Sequence, residues 1–171
     1  MGGSLAVFRT ERPIGVVTDS VFREGGDQIN RGIELSLFGE PASGIRLLGG
    51  VTLLDTELSD TNNGDYDGNH AIGVPNTQAN IGGEWDVPGF AGLTLTSRVV
   101  YTGSQYTDID NDREIPSWTR LDLGARYGMK VQDRDVTLRA RLDNATGRDY
   151  WASTGGYPGS NYLVLGAPRT L

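Results

Sequence analysis

The stretch Leu121-Asp122-Leu123-Gly124-Ala125-Arg126-Tyr127 alternates apolar and polar residues, and Val136-Thr137-Leu138-Arg139-Ala140-Arg141-Leu142 repeats the alternation a few residues later. A period of two residues is typical of a β-strand with one apolar and one polar face. The polar positions of both strands are mostly charged, where surface strands often carry threonine and serine. The two strands are joined by the short polar connection Met129–Asp135, and the long segment Thr146–Asn161 follows them.

The rest of the chain repeats this arrangement. Short connections are predicted at 40–43, at 87–91 and around 132–133, and long ones at 13–19, 59–73, 107–114 and 146–161. Short turns at one end of the strands and long loops at the other are typical of an outer-membrane β-barrel. We therefore predict an all-β protein of antiparallel, up-and-down transmembrane β-barrel strands, about eight in number: 4–12, 20–39, 44–58, 74–87, 92–107, 115–130, 134–145 and 161–171.

The two faces of these strands differ in chemistry. In the fifth strand, Leu93, Leu95, Val99 and Tyr101 lie on one side, and threonines and Arg98 lie on the other. Charges on matching faces of three neighbouring strands favour a polar lumen and a lipid-facing apolar side over a soluble sandwich; they are Arg98, Arg120, Asp122, Arg126, Arg139, Arg141 and Asp143. Aromatic residues near predicted strand ends are expected in interfacial girdles: Tyr101, Tyr106, Trp118, Tyr127, Tyr150 and Trp151.

Composition narrows the possible functions. The 171 residues carry a net charge of −7, which argues against a nucleic-acid-binding surface. There is no cysteine and a single histidine, so no thiolate metal site and no nucleophile–base pair is expected. The acidic segment with Asp65, Asp67 and Asn69 lacks the ligand spacing of a calcium loop. We expect no enzyme activity, no catalytic residue, no metal site and no cofactor.

Five motifs in a fixed order resemble those of TonB-dependent outer-membrane receptors. Asn144-Ala145-Thr146-Gly147-Arg148-Asp149-Tyr150-Trp151 is similar to the Asn-Leu-Phe-Asp-Lys-x-Tyr-Tyr/Trp motif near their C-terminus. Gly166-Ala167-Pro168-Arg169-Thr170 is similar to the motif that opens their final strand. Three further segments resemble other barrel strands of the family: Arg31–Leu35, Val74–Asn80 and Ile115–Asp122. Within the family, the resemblance is nearest to the ferric-siderophore receptors.

The resemblance implies a specific place in a larger protein. Members of this family form a barrel of about 22 strands around an N-terminal plug. Residues 1–171 correspond to the C-terminal part of such a barrel, an arc of its strands, and the plug domain is absent from them. Leu171 stops where the family's final strand continues to a terminal aromatic residue. On this basis the chain is expected to be a receptor fragment.

The resemblance also implies a function. The expected protein is part of a receptor for uptake of ferric siderophores in the outer membrane of a Gram-negative bacterium. Its expected partners are the ferric siderophore, outer-membrane lipid, and the TonB complex through the missing N-terminal region, with no nucleic acid. The candidate ligand-facing loops are 59–73, 107–114 and 146–160, and their possible stacking residues are Tyr66, Tyr106, Tyr150, Trp151 and Tyr157.

Two alternatives remain open from the sequence. In the first alternative the eight strands close on themselves as a small outer-membrane barrel with a structural or adhesion role, since eight strands enclose an interior that side chains just fill. The third possibility is a soluble β-sandwich that acts as a binding module, with its apolar faces turned inward.

Overall fold

Antiparallel strands make up the computed structural model, which describes residues 1–18, 20–157 and 160–171. A short 3₁₀ turn occurs at Asn62–Gly64. The described part of the chain has no helix long and apolar enough to cross a membrane. The strands are β1 Gly2–Thr18, β2 Val21–Ala42, β3 Ile45–Ser59, β4 Thr77–Asp86, β5 Leu93–Thr102, β6 Gln105–Tyr106, β7 Glu114–Ile115, β8 Trp118–Val131, β9 Arg134–Leu142, β10 Trp151–Tyr157 and β11 Ser160–Leu165.

Seven of these strands form one sheet, in the order β1-β2-β3-β4-β5-β8-β9. Every neighbouring pair is antiparallel, and the order follows the chain except where the small β6–β7 hairpin is inserted. At the β8–β9 turn, Gln132 and Asp133 have φ of 50° and 61°, the conformation of a two-residue hairpin turn whose twist matches that of the strands. The predicted all-β, up-and-down arrangement is confirmed.

The last predicted strand is placed differently in the structure. Within 161–171, residues up to Leu165 belong to β11, which pairs with β10 and not with the large sheet. β10 lies in the segment 146–161 that the sequence analysis assigned to a loop, and its Gly155-Gly156 pair and small polar residues explain that error. Further along, Thr170 forms an antiparallel bridge with Asp143, at the end of β9.

The first predicted connection, 13–19, is also wrong. β1 continues to Thr18 and pairs with β2 along its whole length, with a register shift between Pro13 and Gly15. A proline has no N–H for the ladder, so it is accepted at edge strands and irregularities of this kind. Only two residues separate β1 from β2. The sequence analysis predicted a long connection at this end of the sheet, so the predicted alternation of long and short connections fails here.

The register confirms the two predicted faces. One row of paired residues runs through Leu5, Leu35, Val51, Ala79 and Tyr101, across five strands. We call this side the apolar face; many of its large side chains are exposed, among them Leu37 at 53% and Ile81 at 56%. A row on the opposite side contains Asp86, Thr94, Arg126 and Arg139, and we call that side the charged face.

The apolar face has the height of a membrane. On β3 its outward residues are apolar from Ile45 to Leu53, about nine residues, and a transmembrane β-strand needs about 9–11. Charges begin immediately beyond, where Arg31 approaches Glu57 at 2.9 Å and Asp55 at 3.7 Å. Because β2 has 22 residues, the β1–β2 hairpin extends far past this boundary, on the side of the long loops.

Candidate functional site: a loop cluster at one end of the sheet

The buried apolar side chains of the described residues lie at the long-loop end of the sheet. They are Leu58, Ala71, Ile115 and Trp118, each less than 9% exposed. The connecting segments 60–76, 103–117, 143–157 and 160–169 meet around them, and we call these segments the loop cluster. The membrane-height part of the sheet has two open faces, so the packed interior of this chain is in the loop cluster.

Segment 60–76 folds over the charged face. The backbone N–H of Leu58 donates to Asn69 O at 2.8 Å, and the N–H of Gly68 donates to Leu58 O at 2.9 Å. The N–H of Ala71 donates to the hydroxyl of Thr56 at 3.2 Å, and Thr56 lies on the charged face of β3. These bonds extend the strand end into a compact loop above the charged face.

Asp67 has a structural task in this loop. One oxygen, Oδ1, accepts the backbone N–H of Thr61 at 2.8 Å and its hydroxyl at 2.7 Å. These hydrogen bonds, the hydroxyl first, hold the pKa of the Asp67 carboxyl below its usual value. The described residues contain no group of three or more histidine, cysteine, aspartate or glutamate side chains placed to hold a metal ion.

Segments 60–76 and 103–117 are joined through His70. Its ring stacks on Tyr106, with centroids 5.6 Å apart and planes 11° from parallel. The side chain of Asn111 holds the backbone of His70 at two points: Oδ1 accepts the N–H at 2.7 Å and Nδ2 donates to the carbonyl at 3.0 Å. Nearby, the Asn69 amide donates to Ile109 O at 2.8 Å. The two segments therefore form one structural unit.

Gly73 connects this unit to the β10–β11 hairpin. Its N–H donates to Tyr106 O at 3.0 Å. Its φ is +72°, and a side chain at this position would collide with the carbonyl oxygen of Thr154 in β10. Both the backbone conformation and the close approach require glycine here.

Tyr150 joins the last loop to the sheet. Its ring packs on Trp118 with centroids 4.4 Å apart, and its hydroxyl accepts a bond from Arg120 at 3.3 Å. The backbone of Gly166 passes close to the Tyr150 ring, and a Cβ at position 166 would overlap the ring carbons. Trp118 and Tyr150 thus pack together on the charged face, and neither belongs to a lipid-facing girdle as the sequence analysis expected.

Asn144 organises the same loop and was missed as a structural residue. It is 1% exposed; its Nδ2 donates to Arg148 O at 2.8 Å and Ala167 O at 3.1 Å, and its Oδ1 accepts the Arg148 N–H at 3.0 Å. Its backbone N–H donates to Asp122 at 3.0 Å. The signal in the sequence was the position of this asparagine at the start of the motif Asn144–Trp151. A polar residue that the fold buries must be hydrogen-bonded, and Asn144 meets that requirement within its own loop.

The remaining predicted residues are less constrained. Tyr66 is half-buried, with its backbone N–H bonded to the Thr61 hydroxyl at 3.1 Å, and Trp151 is 38% exposed at the start of β10. The side chain of Tyr157 lies outside the described residues. Of the expected girdle, Tyr101 and Tyr127 do lie on the apolar face; Trp85, 45% exposed on the same face, was overlooked.

Ion pairs cover the charged face below the loop cluster. Arg46 binds Asp86 at 2.7 Å and Glu84 at 3.1 Å, and Arg126 reaches Glu84 at 3.5 Å. Nearer the loops, two arginines approach Asp122, which is 4% exposed and accepts a hydrogen bond from Arg120 at 3.1 Å. Arg141 lies 3.7 Å from the same carboxylate. These ion pairs neutralise the carboxylates of Glu84, Asp86 and Asp122 on the charged face.

Comparison with known proteins identifies this architecture. The family described as "TonB dependent receptor-like, beta-barrel" matches residues 2–145. The chain belongs to the TonB-dependent receptor family. This family consists of outer-membrane transport receptors of Gram-negative bacteria, so the predicted family, fold and localisation are confirmed, as is the prediction that the protein is no enzyme. Membership also disfavours the small closed barrel and the soluble sandwich.

Individual TonB-dependent receptors match most of the chain. It is 45% identical to the ferrichrome receptor FcuA of Yersinia enterocolitica over 172 residues, covering 99% of this chain and 22% of FcuA. It is 31% identical to the ferrichrome outer membrane transporter/phage receptor of Escherichia coli over 134 residues, covering 76% of this chain and 18% of that protein. The chain thus spans about a fifth of the length of these relatives.

Solved structures of TonB-dependent receptors superpose on the chain. The ferric preacinetobactin receptor BauA of Acinetobacter baumannii matches with a TM-score of 0.85 and 40% identity, over 98% of this chain and 26% of BauA. The siderophore receptor PiuA of the same species matches with a TM-score of 0.81 and 28% identity, over 98% of this chain and 24% of PiuA. The open sheet is therefore an arc of a larger barrel.

Proposed function

We propose that residues 1–171 are the C-terminal barrel segment of a receptor that imports ferric siderophores through the outer membrane. The observation that carries this proposal is the 45% identity to a ferrichrome receptor along 99% of the chain. The order of the five motifs supports the C-terminal position. In this proposal the plug domain, and the region that engages the energy-supplying TonB complex, lie outside residues 1–171.

The two faces fit two different surroundings. The apolar face is proposed to contact outer-membrane lipid, because apolar side chains exposed over this height are stable only in hydrocarbon. The charged face is proposed to line the inside of the barrel. The short turns then lie at the periplasmic end, and the loop cluster lies at the extracellular mouth, where a chelate arrives.

We propose different roles for the aromatic residues of the loops: some contact the chelate and others hold the loops in place. Tyr66 is half-buried and Trp151 is 38% exposed, and these two residues are the stronger candidates. Tyr106 and Tyr150 are already engaged with His70 and Trp118, so their proposed role is to hold the mouth in shape. Tyr157 is proposed as a further contact on its position in the last loop. Iron enters chelated, so this function requires no protein metal ligand and no cofactor.

A chimaeric receptor tests the proposal. Residues 1–171 replace the matching segment of FcuA, and uptake of ferrichrome iron is measured in cells that lack FcuA. We expect uptake well above that of cells without receptor, and a matched chimaera with Val51→Arg, which places a charge in lipid, to assemble poorly. A chimaera that reaches the outer membrane as a heat-modifiable barrel and binds no ferric chelate would overturn the proposed function.

A further inference from the structure

Two chemically labile dipeptides lie close together in segment 60–76. Asn63-Gly64 is the single Asn–Gly sequence of the chain, and Asp67-Gly68 is its single Asp–Gly sequence. Asparagine and aspartate side chains can cyclise onto the backbone nitrogen of the next residue, and glycine favours this step because it has no side chain to hinder the approach. The two dipeptides share this reaction, and the fold decides which of them can undergo it.

The reaction at Asn63 needs water and no other reactant. The backbone nitrogen of Gly64 attacks Cγ of Asn63 and gives up its proton, and the side-chain amide nitrogen takes up a proton and leaves as ammonia. Water then opens the resulting succinimide ring at either of its C–N bonds to the ring nitrogen, which yields aspartate or isoaspartate. Both products carry a new negative charge, and isoaspartate also inserts a methylene group into the backbone.

Asn63 is held differently from the other asparagines in the left-handed conformation. Three described asparagines have φ between 50° and 60°: Asn63, Asn111 and Asn144. The side chain of Asn111 is bonded to the backbone of His70, and that of Asn144 is bonded to two carbonyls of its own loop. The Asn63 side chain is exposed and forms no hydrogen bond with any residue that the structure describes. Its amide is therefore available to react.

A short exposed turn restrains Gly64. Its N–H donates to Thr61 O at 2.8 Å, and ψ of Asn63 is 7°, which turns the Gly64 nitrogen away from Cγ of Asn63. The 3₁₀ turn Asn62–Gly64 contains no buried residue. Exposed turns with few packed contacts open locally at low free-energy cost, without unfolding of the elements around them. A transient opening that rotates ψ therefore brings the two reacting atoms together.

The second dipeptide is restrained more strongly. The N–H of Gly68 donates to Leu58 O at 2.9 Å, and Leu58 is 4% exposed near the end of β3. Oδ1 of Asp67 accepts both the backbone N–H and the hydroxyl of Thr61. Cyclisation at Asp67 therefore requires three hydrogen bonds to open together, one of them beside the buried side chains of the loop cluster.

We infer that Asn63 is a site of spontaneous deamidation in the folded receptor, whereas Asp67 is protected from the equivalent isomerisation. The isoaspartate product lengthens the backbone inside the turn and separates the Gly64 N–H from Thr61 O. The modification thus loosens residues 61–64 and adds a negative charge beside Asp65 and Asp67. This inference does not depend on which ligand the receptor binds.

Peptide mapping of the purified chimaeric receptor tests the inference. The receptor, shown to be folded by heat modifiability, is incubated in mildly alkaline buffer and digested at intervals. Mass spectrometry measures conversion at Asn63, and an isoaspartate-specific methyltransferase reports isoaspartate at positions 63 and 67. A synthetic peptide of residues 58–70 gives both rates without the fold. Asn63→Gly is the matched control, because glycine keeps the left-handed turn and removes the reacting amide.

The ratio of the peptide rate to the receptor rate measures the protection that the fold gives. Opening one exposed hydrogen bond corresponds to at most about a tenfold ratio, so Asn63 in the receptor should convert within about tenfold of the peptide. Opening three bonds corresponds to about a 100-fold ratio, so isoaspartate at position 67 should form at least about 100-fold more slowly than in the peptide. Asn111 and Asn144 should stay unmodified, and Asn63→Gly should not acquire the added charge on isoelectric focusing.

Either of two results would overturn the inference. One is a folded receptor in which Asn63 stays an amide while the peptide is fully converted. The other is equal protection at positions 63 and 67, which would show that the hydrogen bonds of this loop do not control the reaction. Neither result bears on the proposed import function, because uptake by the chimaeric receptor is measured separately.

Discussion

The sheet and the loop cluster are organised by different physics. In the sheet at membrane height, backbone hydrogen bonds connect the strands, and many large side chains of the apolar face are exposed. In the loop cluster, side chains are buried and bond to backbone groups of distant segments, as Asn111 does to His70. In the proposed function, membrane lipid covers the apolar face of the sheet, whereas the loop cluster buries its own side chains.

This difference explains which features are repetitive and which are not. A lipid-facing strand needs apolar residues at every second position, and many residues satisfy that requirement. A loop packed in water needs a particular donor or acceptor for each buried backbone group. The effect of a substitution in the sheet on stability should therefore depend on which face the side chain occupies. In the loop cluster, the effect should depend on the hydrogen bonds of the individual residue.

The largest effect is expected from charges on the apolar face. In the chimaeric receptor, Val51→Arg places an arginine in hydrocarbon and should cost about 2–4 kcal/mol of folding free energy. The neighbouring Thr52→Arg points to the charged face beside Glu34 and should change stability by less than about 0.5 kcal/mol. Urea titration in lipid vesicles measures both. Equal costs would remove the lipid-facing assignment of the apolar face.

The next effect concerns Asn144. Replacing it with alanine leaves carbonyls of Arg148 and Ala167 without their donor and should cost about 1–3 kcal/mol. Because Asn144 has φ of 50°, Asn144→Gly is the matched variant that keeps the backbone relaxed and loses only the side chain. Hydrogen exchange should show faster opening of residues 144–151 in both variants. Unchanged protection in Asn144→Gly would show that the side-chain bonds stabilise nothing.

The smallest effect is a pH dependence at Asp67. Its folded-state pKa lies below the usual aspartate value of 3.8, so the charged form stabilises the turn at pH above that value. This contribution is lost as the pH falls below 3.8 and through the folded pKa. The protection factor of the Thr61 amide, which corrects for the intrinsic pH dependence of exchange, should therefore fall in acid, and Asp67→Asn should abolish this acid-dependent fall. An identical acid response in the variant would contradict the role of this carboxylate.

The sequence was informative wherever a local pattern determines structure. Period-two alternation in 93–101 and 121–127 predicted strands and their faces, because every second side chain of a strand points the same way. It failed at Pro13, where a register shift continues the strand, and at 151–165, where glycine-rich residues pair as a hairpin.

The loop cluster was less accessible to sequence reasoning. Its aromatic residues were recognised, but the packing of Tyr150 between Trp118 and Gly166 depends on contacts between remote segments. The same holds for the pairing of His70 with Asn111, which are 41 positions apart. No local period encodes such contacts, so composition identified candidate residues without revealing which of them serve the packing of the loops.

The most direct test of the account asks which ends of the strands face the cell exterior. The chain has no cysteine, so a single cysteine at Asp110→Cys or at Asp133→Cys labels one end uniquely within residues 1–171. Intact cells producing each chimaeric receptor are treated with a membrane-impermeant maleimide, and the same chimaera without the added cysteine is the control. The account predicts labelling at position 110 and protection at position 133 until the outer membrane is opened. Labelling at position 133 in intact cells, with protection at position 110, would contradict it.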